Sequence, residues 1–259
     1  MDAATRHLRE LLLDAQQLPE ILLLKHSTTS TNDDVRELAQ KGVQSILVCS
    51  EQQTQGRGQH QREWVSPIGN IYLSTLLNTS TALDGRLALE IALNILQMPT
   101  LKNLPDLQIK WPNDLYSPQG KWGGILVEPI SPTQAIVGVG INLLPIPEQQ
   151  MSQPTTSVMQ LGIQYPNRIQ LVSELYLAIL QAGQWFEHGS YNLAARFNHV
   201  AAFIDQPVDF EQATQTVQGI YRGIAQDGAI RLEHSHGIQS YYQGRLRLQT
   251  QQTQEQTQA

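Results

Sequence analysis

The chain has 259 residues, 41% of them hydrophobic and 15% charged, with a formal net charge of −6. That length is enough for one large domain, or a large and a small one, around a real core. The acidic balance argues against a general nucleic-acid surface, the single cysteine, Cys49, excludes an internal disulfide and a CxxC metal site, and no apolar run approaches the ~18 residues that span a bilayer.

The N-terminus bears Asp and Arg and lacks the apolar core and small-residue cleavage site of a signal peptide. The expectation is a soluble cytoplasmic protein. Residues 5–17 read as a short helix on Leu8, Leu11 and Leu12, stopping near Pro19. Ile21–Lys25 is an apolar run of strand length. Ser27–Asn32 is a run of hydroxyls and one amide, followed by a helix to about Lys41 with Gly42 suited to its C-terminal cap. Ile46–Ser50 reads as a strand that ends on a structural Cys49 thiol, and Thr54–Gly69 as a long polar loop. Asn70–Leu77 is a further strand, and Asp84–Met98 a helix stopped by Pro99. Gln108–Tyr116, Trp122–Pro129 and Gln134–Asn142 read as three strands, and Ile169–Phe186 as the strongest helix.

Composition shifts near Ala201–Pro207. Beyond it lie short β-like runs, Gly219–Ile224, Ile230–Leu232 and Tyr241–Leu248, with Asp227-Gly228 as a hairpin signal. About 45 residues of short strands suggest a small closed barrel. The expected division is therefore 1–202, 203–248, and a Gln-rich tail at 249–259 that reads as disordered.

Four segments carry chemistry. In Lys110-Trp111-Pro112-Asn113-Asp114 a lysine ends an apolar approach (Leu107, Ile109) beside an indole. A partly desolvated ammonium there needs a phosphate or carboxylate. In the loop Gln53–Trp64, Gly56 and Gly58 allow close approach to an anion, and Arg57 adds a forked donor. Alone, that loop reads equally as a solvated Gly-rich turn. Ser30-Thr31-Asn32 reads either as a helix cap, with Asp33 or Asp34 as the reciprocal acid, or as a set of contacts to a polar head group. Gly138-Val139-Gly140-Ile141-Asn142 ends a strand, where glycines serve packing or ligand approach and Asn142 offers a purine or phosphate contact. His234 and His236 read as surface residues. No Walker A, GxGxxG, HExxH or GxSxG pattern is present.

Together the segments resemble biotin protein ligases (biotin–[acetyl-CoA-carboxylase] ligases) over roughly Ser27 to Leu248. They come in family order: Ser30–Asn32, Glu51–Gly58, Arg62-x-Trp64, Ser66-Pro67-x-Gly69, Lys110–Asp114, Gly120–Glu128 and Gly138–Asn142. The resemblance implies an α/β (α+β) fold: a mixed-sheet catalytic domain with helices, like class II synthetases and biotin–lipoate ligases, and a C-terminal SH3-like barrel. It implies ATP-dependent formation of biotinyl-5′-AMP, then biotin transfer to a lysine of the biotin carboxyl carrier protein. Biotin, ATP and Mg²⁺ are the expected small molecules, with magnesium travelling on ATP rather than in a fixed protein site. No nucleic acid or membrane partner is expected; a homodimer through a sheet edge is a family habit.

Residue by residue, the resemblance makes Lys110 and Arg57 the catalytic cations. Ser30, Thr31, Asn32, Gln53, Gly56, Arg57, Lys110, Gly123 and Gly124 become biotin contacts. Arg57, Gly58, Gln59, Arg62, Trp64, Lys110, Asn113, Lys121 and Asn142 become adenylate contacts, with Trp64 closing over adenine. Two departures stand out. Gln59 replaces an arginine of familiar bacterial relatives, which implies looser retention of biotinyl-5′-AMP unless Arg62 or another group compensates. About 20 residues precede the first strand, too few for a winged helix-turn-helix, so the expectation is a monofunctional ligase. Lipoate or octanoyl transferases of the same superfamily are the enzyme alternative, and a biotin-responsive regulator the non-enzyme one.

Overall fold

A computed structural model describes residues 2–147 and 153–249. Its first half is a seven-stranded mixed sheet in the order β1 (Ile21–Thr28), β2 (Ile46–Gln53), β3 (Ile71–Asn78), β7 (Gln134–Ile141), β6 (Gly120–Ser131), β5 (Asp114–Ser117), β4 (Gln108–Lys110). Only β1 and β2 run parallel; the other neighbours are antiparallel.

The two faces of the sheet carry different cover. Helices α1 (Ala3–Asp14), α3 (Arg86–Leu96) and α4 (Arg168–Glu187) pack on the face that presents Leu47, Cys49, Leu73, Val137 and Val139, all buried. Helix α2 (Thr31–Gln40) covers the opposite face through Val35, which meets Ile46, Val48, Leu76 and Ile136. Strand periodicity of two explains the split, since alternate residues of one strand serve opposite faces. α2 is short and covers only part of its face. The remainder, past its N-terminus, is open and holds the candidate site.

A second, five-stranded antiparallel sheet has the order β11 (Gly237–Tyr241), β10 (Ile230–His234), β9 (Thr216–Ile224), β8 (Pro207–Glu211), β12 (Arg245–Leu248). A short helix, α5 (Leu193–His199), leads into it. It docks on the β4 edge: Ile109 and Ala201 form a β-bridge, and Trp111 packs on Phe210 at 5.8 Å between ring centroids.

Most elements fall where the sequence puts them, with corrections. The expected strand Gln108–Tyr116 is two strands, β4 and β5, broken at Trp111–Asn113; Pro112 has no N–H to donate to a ladder. Tyr241–Leu248 is likewise broken at Tyr242–Gly244 into β11 and β12. α5 and β8 were not expected. Gly42 follows the α2 cap at φ +89°, as read, and Asp227-Gly228 turns β9 into β10. Gln249 donates its backbone N–H to Pro207 and so continues the pairing of β12; the rest of the expected tail lies outside the described residues.

Candidate active site

The site is built on cross-strand registers. Ser50, Tyr72, Gly140, Gly124, Asp114 and Lys110 pair successively across six strands, from β2 to β4. The next row pairs Ser74, Gly138 and Leu126. Paired residues project to the same face, so two rows of the open face carry glycine at their centres.

The glycines are spaces for other side chains. A Cβ on Gly140 would stand 2.7 Å from three atoms of the Trp64 indole, and one on Gly124 would stand 3.0 Å from it. A Cβ on Gly138 would collide with the amide of Asn32. The GVG pattern therefore seats Asn32 and Trp64 on the sheet. Gly123 faces the other way, toward Leu115 and Ile141, and Gly56 lies under the loop against Ser66 and the Trp64 carbonyl.

A cavity of about 480 Å³ opens over this floor. Every expected site residue lines it except Gly56 and Gly123. At one end runs a chain of hydrogen bonds. Asn32 Nδ2 donates to Glu128 at 2.8 Å; Ser74 Oγ donates to Asn32 Oδ1 at 2.5 Å; Thr31 Oγ1 meets Ser74 Oγ at 2.7 Å and donates to Gln53 Oε1 at 3.1 Å. Gln53 Nε2 donates on to Ser66 at 3.2 Å.

The capping-box alternative is corrected here. Ser30 occupies the N-cap backbone position of α2 but its hydroxyl caps nothing. It accepts from Arg57 at 3.1 Å, while Gln53 Oε1 accepts the Thr31 N–H at 2.9 Å. Asp33 and Asp34 face Arg57 and Lys25 instead of the cap.

Arg57 is clamped by the protein itself. It donates to both oxygens of Asp33 at 2.8 and 2.7 Å, and to both oxygens of Glu128 at 3.3 and 3.2 Å. The Asp33 bonds hold its guanidinium firmly protonated against the cost of burial, with Glu128 adding to them. Burial pushes the Glu128 carboxyl up, but the bonds from Arg57 and Asn32 outweigh it and leave Glu128 below the usual carboxylate range. The sequence treated Arg57 as a ligand donor; the structure makes it equally the tie between the loop, α2 and β6.

Two lysines enter the cavity. Lys110 is 7% exposed, with its Nζ 5.9 Å from the ring centroids of both Tyr116 and Phe203. It forms no ion pair among the described residues. Burial depresses its pKa, Asp114 opposes that, and Arg245, Lys121 and Arg247 reinforce it. The neighbouring indole that the sequence reading placed beside it turns away: Trp111 Nε1 donates to Gly228 of the second sheet. Lys121 pairs with Asp114 and lies 4.8 Å over the Trp64 ring. It stands above Gly124, near the middle of the first row.

Asn142 is 2% exposed, and its amide nitrogen donates to the Thr156 carbonyl at 3.1 Å. Among the described residues its buried Oδ1 has no partner, nor does Trp64 Nε1. Both are unspent hydrogen-bonding groups of cavity-lining residues. Asn113 Nδ2 donates to the Ile125 carbonyl at 2.6 Å and ties β5 to β6. Gly58, Gln59 and Arg62 form a compact turn at the mouth, closed by the Gly58 N–H on the Arg62 carbonyl at 2.8 Å. Glu128 stood in a quoted motif without a role, and Asp33 appeared only as a possible cap. Ser74 and Arg245 were missed, and no sequence spacing marks either.

The chain matches the family model of the biotin/lipoate A/B protein ligases over residues 24–142. It is 31% identical over 211 residues to the bifunctional ligase/repressor BirA of Salmonella typhimurium, a match covering 78% of this chain and 66% of that protein. It is 32% identical over 240 residues to the biotin–[acetyl-CoA-carboxylase] ligase of Mycobacterium tuberculosis, covering 88% and 89%. A solved biotin protein ligase from Aquifex aeolicus, in complex with biotin and ATP, shares the fold at TM-score 0.76 and 22% identity, covering 89% of this chain and 99% of that one. The chain belongs to the biotin/lipoate A/B protein ligase family, among its biotin protein ligases. It spans about two thirds of the length of the bifunctional relative.

Proposed function

We propose that the chain activates biotin with ATP and transfers it to a lysine of a biotin carboxyl carrier protein, that of acetyl-CoA carboxylase. One observation carries this reading. A single cavity holds a polar hydrogen-bond chain at one end and, at the other, a buried ammonium that forms no ion pair among the described residues.

In the first step a biotin carboxylate oxygen bonds to the α-phosphorus, the bond from that phosphorus to the β-phosphate oxygen breaks, and pyrophosphate leaves. In the second a neutral lysine amine attacks the acyl carbon, AMP leaves with the electron pair, and the amine gives up a proton. Ser30, Thr31, Asn32 and Gln53 hold the biotin head group. Trp64 and Asn142 Oδ1 take the adenine; the orphaned oxygen suits an exocyclic amine. The central place of Lys121, above Gly124 and against Trp64, favours it as the lysine that meets the reacting carboxylate and α-phosphate. Lys110, at the end of the row, serves the phosphates. This moves the role first given to Lys110 onto its neighbour in the site. Donors aimed at developing charge are worth about 3–4 kcal/mol each in such sites.

Among the described residues no three His, Cys, Asp or Glu side chains converge on a metal position. Magnesium fits best as a companion of the ATP phosphates, where it would neutralise charge. We also propose a boundary near residue 203 between a catalytic unit (1–202) and an SH3-like unit (203–248), a cytoplasmic location, and a homodimer through β1, the edge strand of the large sheet.

The test is transfer of labelled biotin to a carrier-domain acceptor with ATP and Mg²⁺, for wild type, Lys121→Ala and Lys110→Ala. ATP-dependent labelling that falls ~10²-fold or more in Lys121→Ala, and less in Lys110→Ala, supports the reading. Labelling with lipoate or octanoate instead of biotin moves the chain to the sister activity. Undiminished labelling in both variants overturns the site.

A further inference from the structure

The Lys110 ammonium has two aromatic neighbours and, among the described residues, no paired carboxylate. Asp114 stands opposite it in the β4–β5 register but is taken by Lys121. The ring centroids of Tyr116 and Phe203 each lie 5.9 Å from Lys110 Nζ, and the two rings meet edge to face at 5.3 Å. Both distances fall within the ~6 Å reach of a cation–π contact. Lys110 lines the cavity and neither ring does. The rings therefore touch the lysine and not a ligand.

Two separate parts of the chain deliver the rings. Tyr116 is the diagonal neighbour of Lys110: Gln108 pairs with Tyr116 and Lys110 with Asp114, so all four project to one face. Phe203 comes from the linker between α5 and β8, which is laid along β4 just before Lys110. Ile109 donates its N–H to the Val200 carbonyl at 2.8 Å and accepts from the Ala202 N–H at 2.9 Å. The next linker residue, Phe203, has φ +68°. A bulky side chain rarely adopts that conformation, and it persists only where the surroundings enforce it. Here the Gln206 N–H closes the turn on the Phe203 carbonyl at 3.1 Å, and the Asp205 N–H ties it to the Tyr221 carbonyl of β9 at 2.8 Å. The strained residue is the one whose side chain reaches Lys110.

We propose that Tyr116 and Phe203 are positioning residues whose paired rings hold the Lys110 ammonium charged and aimed into the cavity without neutralising it. A carboxylate in their place would hold the lysine too, but would cancel the charge that an incoming anion must meet. A ring face carries only a partial negative charge. Burial, with Asp114 adding to it, raises the Tyr116 phenol, so that ring stays neutral. Burial of Lys110 and the charges of Arg245, Lys121 and Arg247 disfavour the ammonium; Asp114 opposes them, and the rings act on the same side as Asp114. The proposal rests on the reading above, in which Lys110 serves the phosphates of ATP.

The experiment compares wild type, Phe203→Leu, Phe203→Tyr, Tyr116→Leu and Tyr116→Phe. Leucine fills space without a ring face, and at 203 it meets the same backbone conformation as phenylalanine. The first readout is the titration of Lys110, followed by carbon NMR of lysine Cε and assigned by its loss in Lys110→Met. The second is biotin-dependent ATP–pyrophosphate exchange. Each leucine variant is expected to lower the Lys110 pKa by about 0.5–1. Each should raise KM for ATP about threefold to tenfold, with kcat and KM for biotin within about twofold of wild type. Phe203→Tyr and Tyr116→Phe keep the ring faces and stay near wild type in both readouts. In a Lys110→Met background, Phe203→Leu changes KM for ATP no further. An unmoved Lys110 pKa or an unmoved KM for ATP in both leucine variants overturns the proposal. So does an undiminished effect of Phe203→Leu in the Lys110→Met background, which marks a structural role. Absence of exchange in the wild type, with the Lys110 titration still responding to the rings, is a different failure, that of the ligase reading itself.

Discussion

Trp111 Nε1 donates to the carbonyl oxygen of Gly228 across 3.0 Å, and its ring lies against Phe210. Lys110, one residue earlier, faces the cavity. Adjacent residues of one motif therefore do two jobs: one enters the site, the other fastens the second sheet to it. Trp111→Phe keeps an aromatic against Phe210 but leaves the Gly228 carbonyl without its donor. Urea unfolding should show a loss of about 1–2 kcal/mol.

Lys110 should cost the fold stability. Its pKa lies below the ordinary lysine value when folded, so the unfolded chain binds more protons between the folded pKa and 10.5. Stability rises with pH through that window, and the penalty of the buried ammonium is present in full below the folded pKa. Lys110→Met removes it. The thermal midpoint should rise, by the equivalent of about 1–2 kcal/mol, and the advantage should vanish in saturating ATP, where the ammonium gains its anion. A lower midpoint in the variant contradicts the unpaired state of Lys110.

Glu128 has the opposite sign. Its folded pKa lies below the ordinary 4.5. The stability it contributes is present above that value and is lost as pH falls through the folded pKa. Glu128→Gln should therefore destabilise at pH 7, by about 2 kcal/mol for a half-buried carboxylate shared by Arg57, Arg36 and Asn32. The gap to wild type should close in acid, as pH falls from 4.5 through the lower folded pKa. A gap that persists unchanged to low pH means the loss is steric.

Gln59 lines the cavity mouth beside Arg62. Gln59→Arg adds a charge-assisted donor to a bound adenylate. In a pulse-chase, release of labelled biotinyl-5′-AMP should slow by about threefold to tenfold. An unchanged rate means Arg62 already supplies what Gln59 does not.

How much of this was legible depends on the range of the forces involved. α4 was plain because Val172, Leu175, Tyr176 and Ile179 repeat on one face and all are buried. α5 has only Leu193 and Phe197 to announce it, too few for a period. β4 and β5 looked like one strand because Ile109 and Leu115 are apolar on either side of Pro112, and only the hairpin register shows the break. The cavity residues were legible as a set, since each sits in a motif. Their internal partners were not. Asp33 and Glu128 converge on Arg57 from sites 24 and 71 residues away. Nor does any spacing reveal which of two lysines lies over Trp64.

The glycines at 124, 138 and 140 are a relief cast in sequence. What they record is the outline of other side chains: the edge of an indole and the head of an amide. A chain with this floor is not free to vary at those positions singly. Gly140→Ala evicts Trp64; a smaller residue at 64 releases Gly140. Across descendants of this chain the two positions should change together or stay fixed together, so a catalogue of their variation reads out the presence of the aromatic without any view of the loop that carries it.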